Sequence, residues 1–155
     1  LNQIRETSKF KTGKDFYMIG AMGHSSILAL GYSINSKNQT LCLDGDGSLL
    51  MHMGSLSNCG IYGKKNFKHI LLNNHSHESV GGQKTLASKI NFKKLVNSLG
   101  YRKYFFAENN KKLLNVFNKF LRSSGPSFLE IKIDEGHLSN LTRPTNFLNI
   151  KKKFN

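Results

Sequence analysis

The sequence predicts an α/β domain built on a parallel sheet with helices on both faces. Strand-length apolar runs alternate with longer segments of helical periodicity, and several runs end in turns rich in glycine, aspartate or asparagine. The chain has 155 residues, enough for one domain with a buried core. Apolar residues make up 38% and charged residues 21%, a composition that argues against disorder.

Strands and helices are predicted to alternate along the chain. Apolar runs that end in turn residues predict strands at 16–19, 40–43, 67–72, 101–106 and 128–133. Apolar residues at helical spacing predict helices at 24–34, 48–61, 92–99 and 113–121, the first of them buried and the last ended by Gly125-Pro126. The segment 75–88 is predicted to be a long polar loop. Parallel sheets of this kind bind ligands beyond the carboxyl ends of their strands.

A strong positive charge is the most unusual feature of the composition. Lysine and arginine number 23 against 9 acidic residues, a formal net charge of +14. This balance is compatible with a polyanionic partner, so a basic nucleic-acid-binding domain is the alternative from another functional class. That alternative needs a clustered basic face, whereas the lysines are scattered and their only tight cluster is at 151–153. We therefore do not expect nucleic-acid binding.

The cysteines and the lengths of the apolar runs indicate the cellular compartment in which the protein is expected. Cys42 and Cys59 lie in apolar segments without metal-ligand spacing, which predicts buried thiols in a reducing cytoplasm rather than a disulfide. No apolar run approaches the roughly 18 residues that a membrane helix needs. No charged-then-apolar leader follows Leu1, so no signal peptide is expected, and the missing initial Met indicates a fragment or a processed chain.

Two polar turns follow consecutive predicted strands and point to a bound cation. Gly45-Asp46-Gly47-Ser48 ends one strand and opens a helix, where glycines allow close backbone approach and free N–H groups attract phosphate. Asp46 would face the same anion, which is favourable only with a cation between them, and Mg²⁺ bridging a carboxylate and a diphosphate fits. A helix and a strand fit in the interval 48–72, so Asn74 emerges at the same sheet edge with a suitable amide oxygen.

This pair of turns resembles the signature of thiamine-diphosphate enzymes. The segments 20–25, 43–56 and 66–83 are more closely similar to the phosphonopyruvate decarboxylases and to the beta subunits of the sulfopyruvate decarboxylases. The resemblance extends over about 15–144 and covers the diphosphate-binding half of the fused enzyme. It implies an N-terminal remnant at 1–14, a domain for thiamine diphosphate and Mg²⁺ at 15–136, and a basic C-terminal tail at 137–155.

The resemblance also implies roles for individual residues. It places the cofactor against three turns: Gly20, Ala21, Met22, Gly45, Asp46, Gly47, Ser48, Asn74 and Ser76. Within that set, Mg²⁺ is expected on the side chains of Asp46 and Asn74 and on the Ser76 carbonyl, with Met22 as the apolar wedge behind the cofactor. His77 and Glu78, in the loop beyond, are the candidate catalytic residues, and Gln83 and Arg143 are the candidate substrate-binding residues.

The activity implied by the resemblance is the decarboxylation of a small anionic 2-oxo acid. The first expectation is conversion of 3-phosphonopyruvate to phosphonoacetaldehyde and CO₂, and a sulfopyruvate decarboxylase beta subunit is the alternative. In this family the glutamate that activates thiamine diphosphate belongs to a pyrimidine-binding domain, which no part of this sequence matches. That domain, fused upstream or as a separate subunit, is therefore the expected partner, together with homo-oligomerisation and without a membrane.

Overall fold

The apolar strands pair side by side in a four-stranded parallel sheet. The computed structural model describes residues 15–136. Its strands are β1 (Thr40–Gly45), β2 (Phe67–Asn73), β3 (Ser76–His77), β4 (Gln83–Lys84), β5 (Lys103–Ala107) and β6 (Ser127–Lys132). Its α-helices are α1 (Ser25–Asn35), α2 (Asp46–Met51), α3 (Ser55–Tyr62), α4 (Phe92–Ser98) and α5 (Asn110–Arg122). The main sheet has the order β1-β2-β6-β5, and β3 and β4 form a separate antiparallel pair.

The register of the sheet aligns the carboxyl ends of β1 and β2. Thr40 pairs with Phe67 at the start of β1 and β2, and Gly45 pairs with Leu72 at their ends. The turn from β1 into α2 and the turn from β2 into the polar loop therefore lie at the same edge of the sheet. The predicted α/β sheet and the convergence of these turns are confirmed.

Apolar side chains fill both faces of the sheet, as an interior with covered strands requires. One face packs against α1, α3 and α4 and forms the larger core: Leu30, Cys42, Leu49, Leu56, Cys59, Phe67, Leu71, Ala87, Phe92, Val96, Tyr101 and Phe128. The opposite face packs against α5 around Ile70, Phe120 and Leu129. Helix α5 contacts β5 and β6, and Leu41 and Leu43 on β1 stay exposed on the described surface.

Four predicted details differ from the structure. The segment 16–19 is not a strand, because no described strand pairs with it and a strand exists only through such pairing. Helix α1 is confirmed in position, but Ile27 and Leu28 are about two-fifths exposed, so it is not a buried helix. The predicted helix 48–61 is two helices, since His52 has non-helical backbone angles (φ −133°, ψ 46°). The polar loop 75–88 contains the β3–β4 pair and two short 3₁₀ turns.

Both cysteines are buried free thiols, as the sequence predicts. Burial raises the pKa of the Cys59 thiol to about 11, so that this side chain stays protonated at neutral pH. Across residues 15–136, none of the helices combines the length and the apolar character that crossing a bilayer demands.

A buried lysine joins β2 to the end of α5. Lys68 is fully buried, and its ammonium donates to the Phe120 carbonyl at 3.1 Å and to the Ser127 hydroxyl at 2.9 Å. It also donates to the carbonyl and hydroxyl oxygens of Ser123. The last carbonyls of a helix lack partners in a following turn, and Lys68 supplies a donor there in addition to the Ser123 N–H that also reaches the Phe120 carbonyl. Desolvation lowers the pKa of this lysine.

Replacing Lys68 by methionine should destabilise the fold. Lys68→Met keeps most of the side-chain volume but removes the ammonium that donates to Phe120, Ser123 and Ser127. We expect the free energy of unfolding to fall by about 2–4 kcal/mol in urea titrations, because several charge-assisted hydrogen bonds are lost at a buried site. The control is Lys119→Met, at an exposed position of α5, which should change it by less than about 0.5 kcal/mol. Equal effects of the two substitutions would contradict this role for Lys68.

Candidate functional site

A cavity opens where β1 and β2 end. It is lined by residues from the turn before α1, from the ends of β1 and β2, from α2, from the polar loop and from the chain that leaves β6: Met22, Gly45, Asp46, Gly47, Ser48, Leu72, Asn74, Ser76, His77, Glu78, Ser79, Ile133, Asp134 and Gly136. Seven of the nine candidate cofactor-binding residues are among them, and so are both candidate catalytic residues. Gly20 and Ala21 precede Met22 in the adjoining turn, where Gly20 has a positive φ of 77°.

Asp46 is held in place by a residue that the sequence did not single out. Its side chain is buried, and the Thr85 hydroxyl donates to Asp46 Oδ2 at 2.5 Å. Thr85 is itself fixed, because its backbone N–H donates to the His75 carbonyl at 2.9 Å. The same hydroxyl accepts from the backbone N–H of Ala87 and so caps a 3₁₀ turn. This capping role is the only feature of Thr85 that a local sequence pattern could have indicated.

Asn73 and Asn74 have different roles: Asn73 anchors the turn to β6, and Asn74 lines the cavity. Asn73 is buried and donates to Glu130 Oε1 at 2.8 Å, while Tyr104 donates to Glu130 Oε2 at 2.6 Å. Burial, together with the bond to Glu130, raises the pKa of the Tyr104 hydroxyl, so it remains a donor. Asn74 lines the cavity, and its Oδ1 accepts from the Ser76 backbone N–H at 3.1 Å. Glu130 is a second residue that sequence reasoning missed.

The turn between these residues is tight. His75 has a positive φ of 59°, a conformation that non-glycine residues seldom adopt. Its backbone N–H donates to Asn73 Oδ1 at 3.3 Å, and its carbonyl accepts from Thr85. The loop that carries Asn74 and Ser76 is thus fixed from both sides, to β6 through Asn73 and to the segment after β4 through Thr85.

Gly47 is required by packing. A Cβ atom built on Gly47 would lie 2.2 Å from His77 Nδ1, so the imidazole ring occupies the space that any other side chain would take. The Ser48 hydroxyl accepts from the Gly23 backbone N–H at 3.1 Å and joins the upstream turn to α2. Three turns that are far apart in sequence therefore meet at one cavity.

Of the two candidate substrate-binding residues, the structure describes Gln83. Gln83 lies on exposed β4 outside the cavity lining, and Arg143 lies outside the described residues. Next to Gln83, the Gly82 N–H donates to the His77 carbonyl at 3.1 Å, so this N–H is not free to bind an anion. Lys84 is paired with Glu135.

The donor atoms at the cavity suit a hard divalent cation. Asp46 offers a carboxylate, Asn74 an amide oxygen and Ser76 a main-chain carbonyl, all of them ligand types that Mg²⁺ takes. Within residues 15–136, the hydroxyl of Ser76 and Nδ1 of His77 are buried polar atoms without a hydrogen-bond partner. Buried polar atoms of this kind indicate a group still to be bound, since such atoms are usually paired. The residues present therefore fit a metal-bound diphosphate.

Comparison with known proteins decides the family. Residues 2–131 match the family described as thiamine pyrophosphate enzyme, C-terminal TPP binding domain. The chain belongs to this family. Thiamine diphosphate is the same compound as thiamine pyrophosphate, so the family and cofactor expected from the sequence are confirmed.

Named relatives of this thiamine-diphosphate-binding domain are decarboxylases. It is 35% identical to the phosphonopyruvate decarboxylase of Streptomyces viridochromogenes over 129 residues, which cover 83% of this chain and 32% of that protein. It is 32% identical to the sulfopyruvate decarboxylase subunit beta of Methanothermobacter thermautotrophicus over 124 residues, 80% of this chain and 64% of that protein. The chain thus spans about a third of the length of the Streptomyces relative.

A solved structure supports the fold. A Mycobacterium smegmatis structure named for a thiamin diphosphate-dependent enzyme superposes with a TM-score of 0.61 at 17% identity, covering 76% of this chain and 23% of that chain. At this level of sequence identity, the structural similarity supports the fold alone. It agrees with the parallel sheet described above.

The contact between Gly47 and His77 gives a prediction with an internal control. Gly47→Ala should lower the free energy of unfolding by about 1–3 kcal/mol in urea titrations, because the new methyl group overlaps the imidazole. Gly54→Ala is the matched control, since nothing lies within 4 Å of a Cβ there and its backbone is helical. The double variant Gly47→Ala/His77→Ala should recover part of the loss. A loss that is the same with and without His77 would refute the packing argument.

Proposed function

We propose that this domain holds the diphosphate and the metal of a thiamine-diphosphate-dependent 2-oxo acid decarboxylase. The observation that carries the proposal is the meeting of Asp46, Asn74 and Ser76 at one cavity beyond the ends of β1 and β2. The names of the relatives, phosphonopyruvate and sulfopyruvate decarboxylases, support the reaction class. When bound, thiamine diphosphate supplies the electron sink for loss of CO₂.

The proposed role of Asp46, Asn74 and Ser76 is to hold Mg²⁺ against the diphosphate. Thr85 occupies one oxygen of Asp46, which fixes the orientation of the carboxylate before any ligand arrives. Glu130 fixes Asn73 and through it the direction of the chain at Asn74. A site whose ligands are already oriented loses less conformational entropy on binding.

Gly45, Gly47 and Met22 are proposed to shape the space that the cofactor occupies. Gly45 and Gly47 carry no side chain that would keep the diphosphate away from the backbone of α2, and Ser48 holds the upstream turn close. Met22, also in the cavity wall, is proposed to support the ring end of the cofactor, with Gly20 and Ala21 beside it. These residues position the cofactor and exclude water from it.

His77 and Glu78 are the proposed proton-handling residues. Both line the cavity, and the Nδ1 atom of His77 is buried against Gly47 without a hydrogen-bond partner among the described residues. Glu78 Oε1 accepts from the Gly136 backbone N–H at 2.9 Å, which orients that carboxyl group. An imidazole can hold or release a proton near neutral pH, so His77 is the better candidate for supplying the proton that takes the place of CO₂ on the reacting carbon.

The proposed substrate is a three-carbon 2-oxo acid with an anionic head group. Phosphonopyruvate is our first proposal and sulfopyruvate the alternative, because relatives named for both substrates match most of the chain. Arg143 and Gln83 are proposed to contact the head group. The net charge of +14 favours the approach of such an anion without selecting between the two.

A pyrimidine-binding domain is the proposed partner. Three of the relatives are named as beta subunits, which implies that those proteins have partner subunits. In the present chain Met51, the last residue of α2, is 56% exposed, and Met53, two residues further on, is 38% exposed. Apolar side chains at that place suit a domain that closes over the cofactor. We further propose that the complete enzyme is a homo-oligomer.

The metal assignment is tested by removing one charge. In the complete enzyme, Asp46→Asn should weaken Mg²⁺-dependent binding of thiamine diphosphate at least about hundredfold by calorimetry, because a buried charged ligand is lost. Glu108→Gln removes a carboxylate at an exposed position and should leave the affinity unchanged. Unchanged affinity in Asp46→Asn, with the fold intact by circular dichroism, would show that the metal lies elsewhere.

The substrate assignment is tested by comparing substrates that differ in their head groups. The complete enzyme should show a higher kcat/KM for phosphonopyruvate than for sulfopyruvate, and a far lower value for pyruvate. Arg143→Ala should raise KM for phosphonopyruvate about 30-fold or more while affecting pyruvate little, since a charged partner is lost. Arg122→Ala, at the exposed end of α5, is the control. A preference for sulfopyruvate would favour the alternative, and equal losses on both substrates would make Arg143 structural.

A further inference from the structure

A second polar cluster lies in the core, beneath the turn that carries Asp46. Cys42 and Asp44 project from β1, and His69 projects from β2 opposite Cys42 in the register. One ligand atom from each of the three lies within 4.8 Å of the others, and all three residues are at least 97% buried. Three donor groups of this kind at such depth in an apolar core are unusual, since buried charges are normally paired or bound to metals.

Two atoms of this cluster face each other without a bond. His69 Nε2 and Asp44 Oδ2 are 3.8 Å apart, which is too long for a hydrogen bond. Neither atom has any other hydrogen-bond partner in the described part of the chain. Phe67 and Phe128 pack against the imidazole, with ring centroids 6.1 and 5.0 Å away, so apolar side chains border the cluster.

The other side of the imidazole is occupied. His69 Nδ1 lies 2.9 Å from the Tyr101 hydroxyl, which also interacts with the Cys59 side chain. The contact between Tyr101 and Nδ1 allows either tautomer of His69. In the tautomer in which the hydroxyl proton points at the sulfur and Tyr101 accepts from Nδ1–H, Nε2 presents its lone pair to the carboxylate. Two lone pairs that face each other repel unless a cation lies between them. Metal-bound histidines show this pattern, because the second ring nitrogen usually donates to an outer partner.

We propose that Cys42, Asp44 and His69 form a structural site for a thiophilic divalent cation, Zn²⁺ in the first instance. A thiolate, a carboxylate and an imidazole are ligands that Zn²⁺ accepts, and Mg²⁺ does not favour the sulfur. The thiolate and the carboxylate balance the two charges of the ion, so the loaded cluster is neutral in the core. A water molecule completes four-coordination where a site has three protein ligands.

The position of the cluster gives the ion a structural consequence. It would join β1 to β2 two residues before Asp46, close to the end of the strand pair that sets the distance between Asp46 and Asn74. Because the ligands are buried, the ion enters during folding, and its binding free energy adds to the stability of the folded chain. This proposal does not depend on the reaction proposed above.

Cobalt is the probe that tests the cluster. The full 155-residue chain is refolded from urea with Co²⁺ and excess Mg²⁺, and gel filtration then removes unbound metal. We expect about one cobalt ion per chain and a thiolate-to-cobalt charge-transfer absorption band, which oxygen ligands at the Asp46 cavity do not give. The same chain expressed in zinc-containing medium should retain zinc by mass spectrometry after dialysis against a chelator.

Cys59→Ser is the matched control because Cys59 is equally buried but lies outside the group of three. It leaves Cys42 as the chain's single cysteine and should keep the band, whereas Cys42→Ser and His69→Asn should lose both the band and the metal. If those two variants do not fold, the wild type and Cys59→Ser decide the matter by themselves. Absence of the band from the refolded wild type, or its loss in Cys59→Ser, would overturn the proposal.

Discussion

The parallel pairing of β1 with β2 is the constraint on which the rest of the site depends. Their register, from Thr40 against Phe67 to Gly45 against Leu72, makes both strands end at one edge. A carboxylate that follows one strand and an amide that follows the other are thereby brought to one cavity. The larger core packs on one face of this strand pair, and on the other face Lys68 ties β2 to α5 and to β6. The contacts that stabilise the sheet thus also hold β2, the strand that leads to Asn74, in place.

The site itself is kept in shape by polar contacts that lie behind it. Thr85 holds Asp46, and Glu130 holds Asn73, so each of the two site-bearing turns is tied to a distant part of the chain. Such ties let a loop with a strained residue, His75, keep one conformation. A polar loop held in this way needs little reorganisation to bind the proposed metal and diphosphate.

The sequence predicted the parts of the fold that depend on local pattern. Apolar strands that end in Gly45-Asp46-Gly47 and in Asn73-Asn74 could be recognised because turn chemistry and hydrophobic runs are local, and their convergence follows from parallel pairing. The segment 16–19 has the same apolar character but is not a strand, since strand formation needs a neighbour that sequence alone does not reveal. Thr85 and Glu130 were missed for a related reason: their partners are 39 and 57 residues away.

We propose that Asp46, Asn74 and the Ser76 carbonyl bind the metal that carries the diphosphate. The most direct test of this proposal is a crystal structure of the complete enzyme with thiamine diphosphate and Mn²⁺ in place of Mg²⁺, using the anomalous signal of manganese. We predict a single strong anomalous peak in this cavity, about 2.0–2.3 Å from one oxygen of each of the three residues and bridging to the diphosphate. A manganese peak on other ligands, with the cofactor bound and this cavity without metal, would contradict the account.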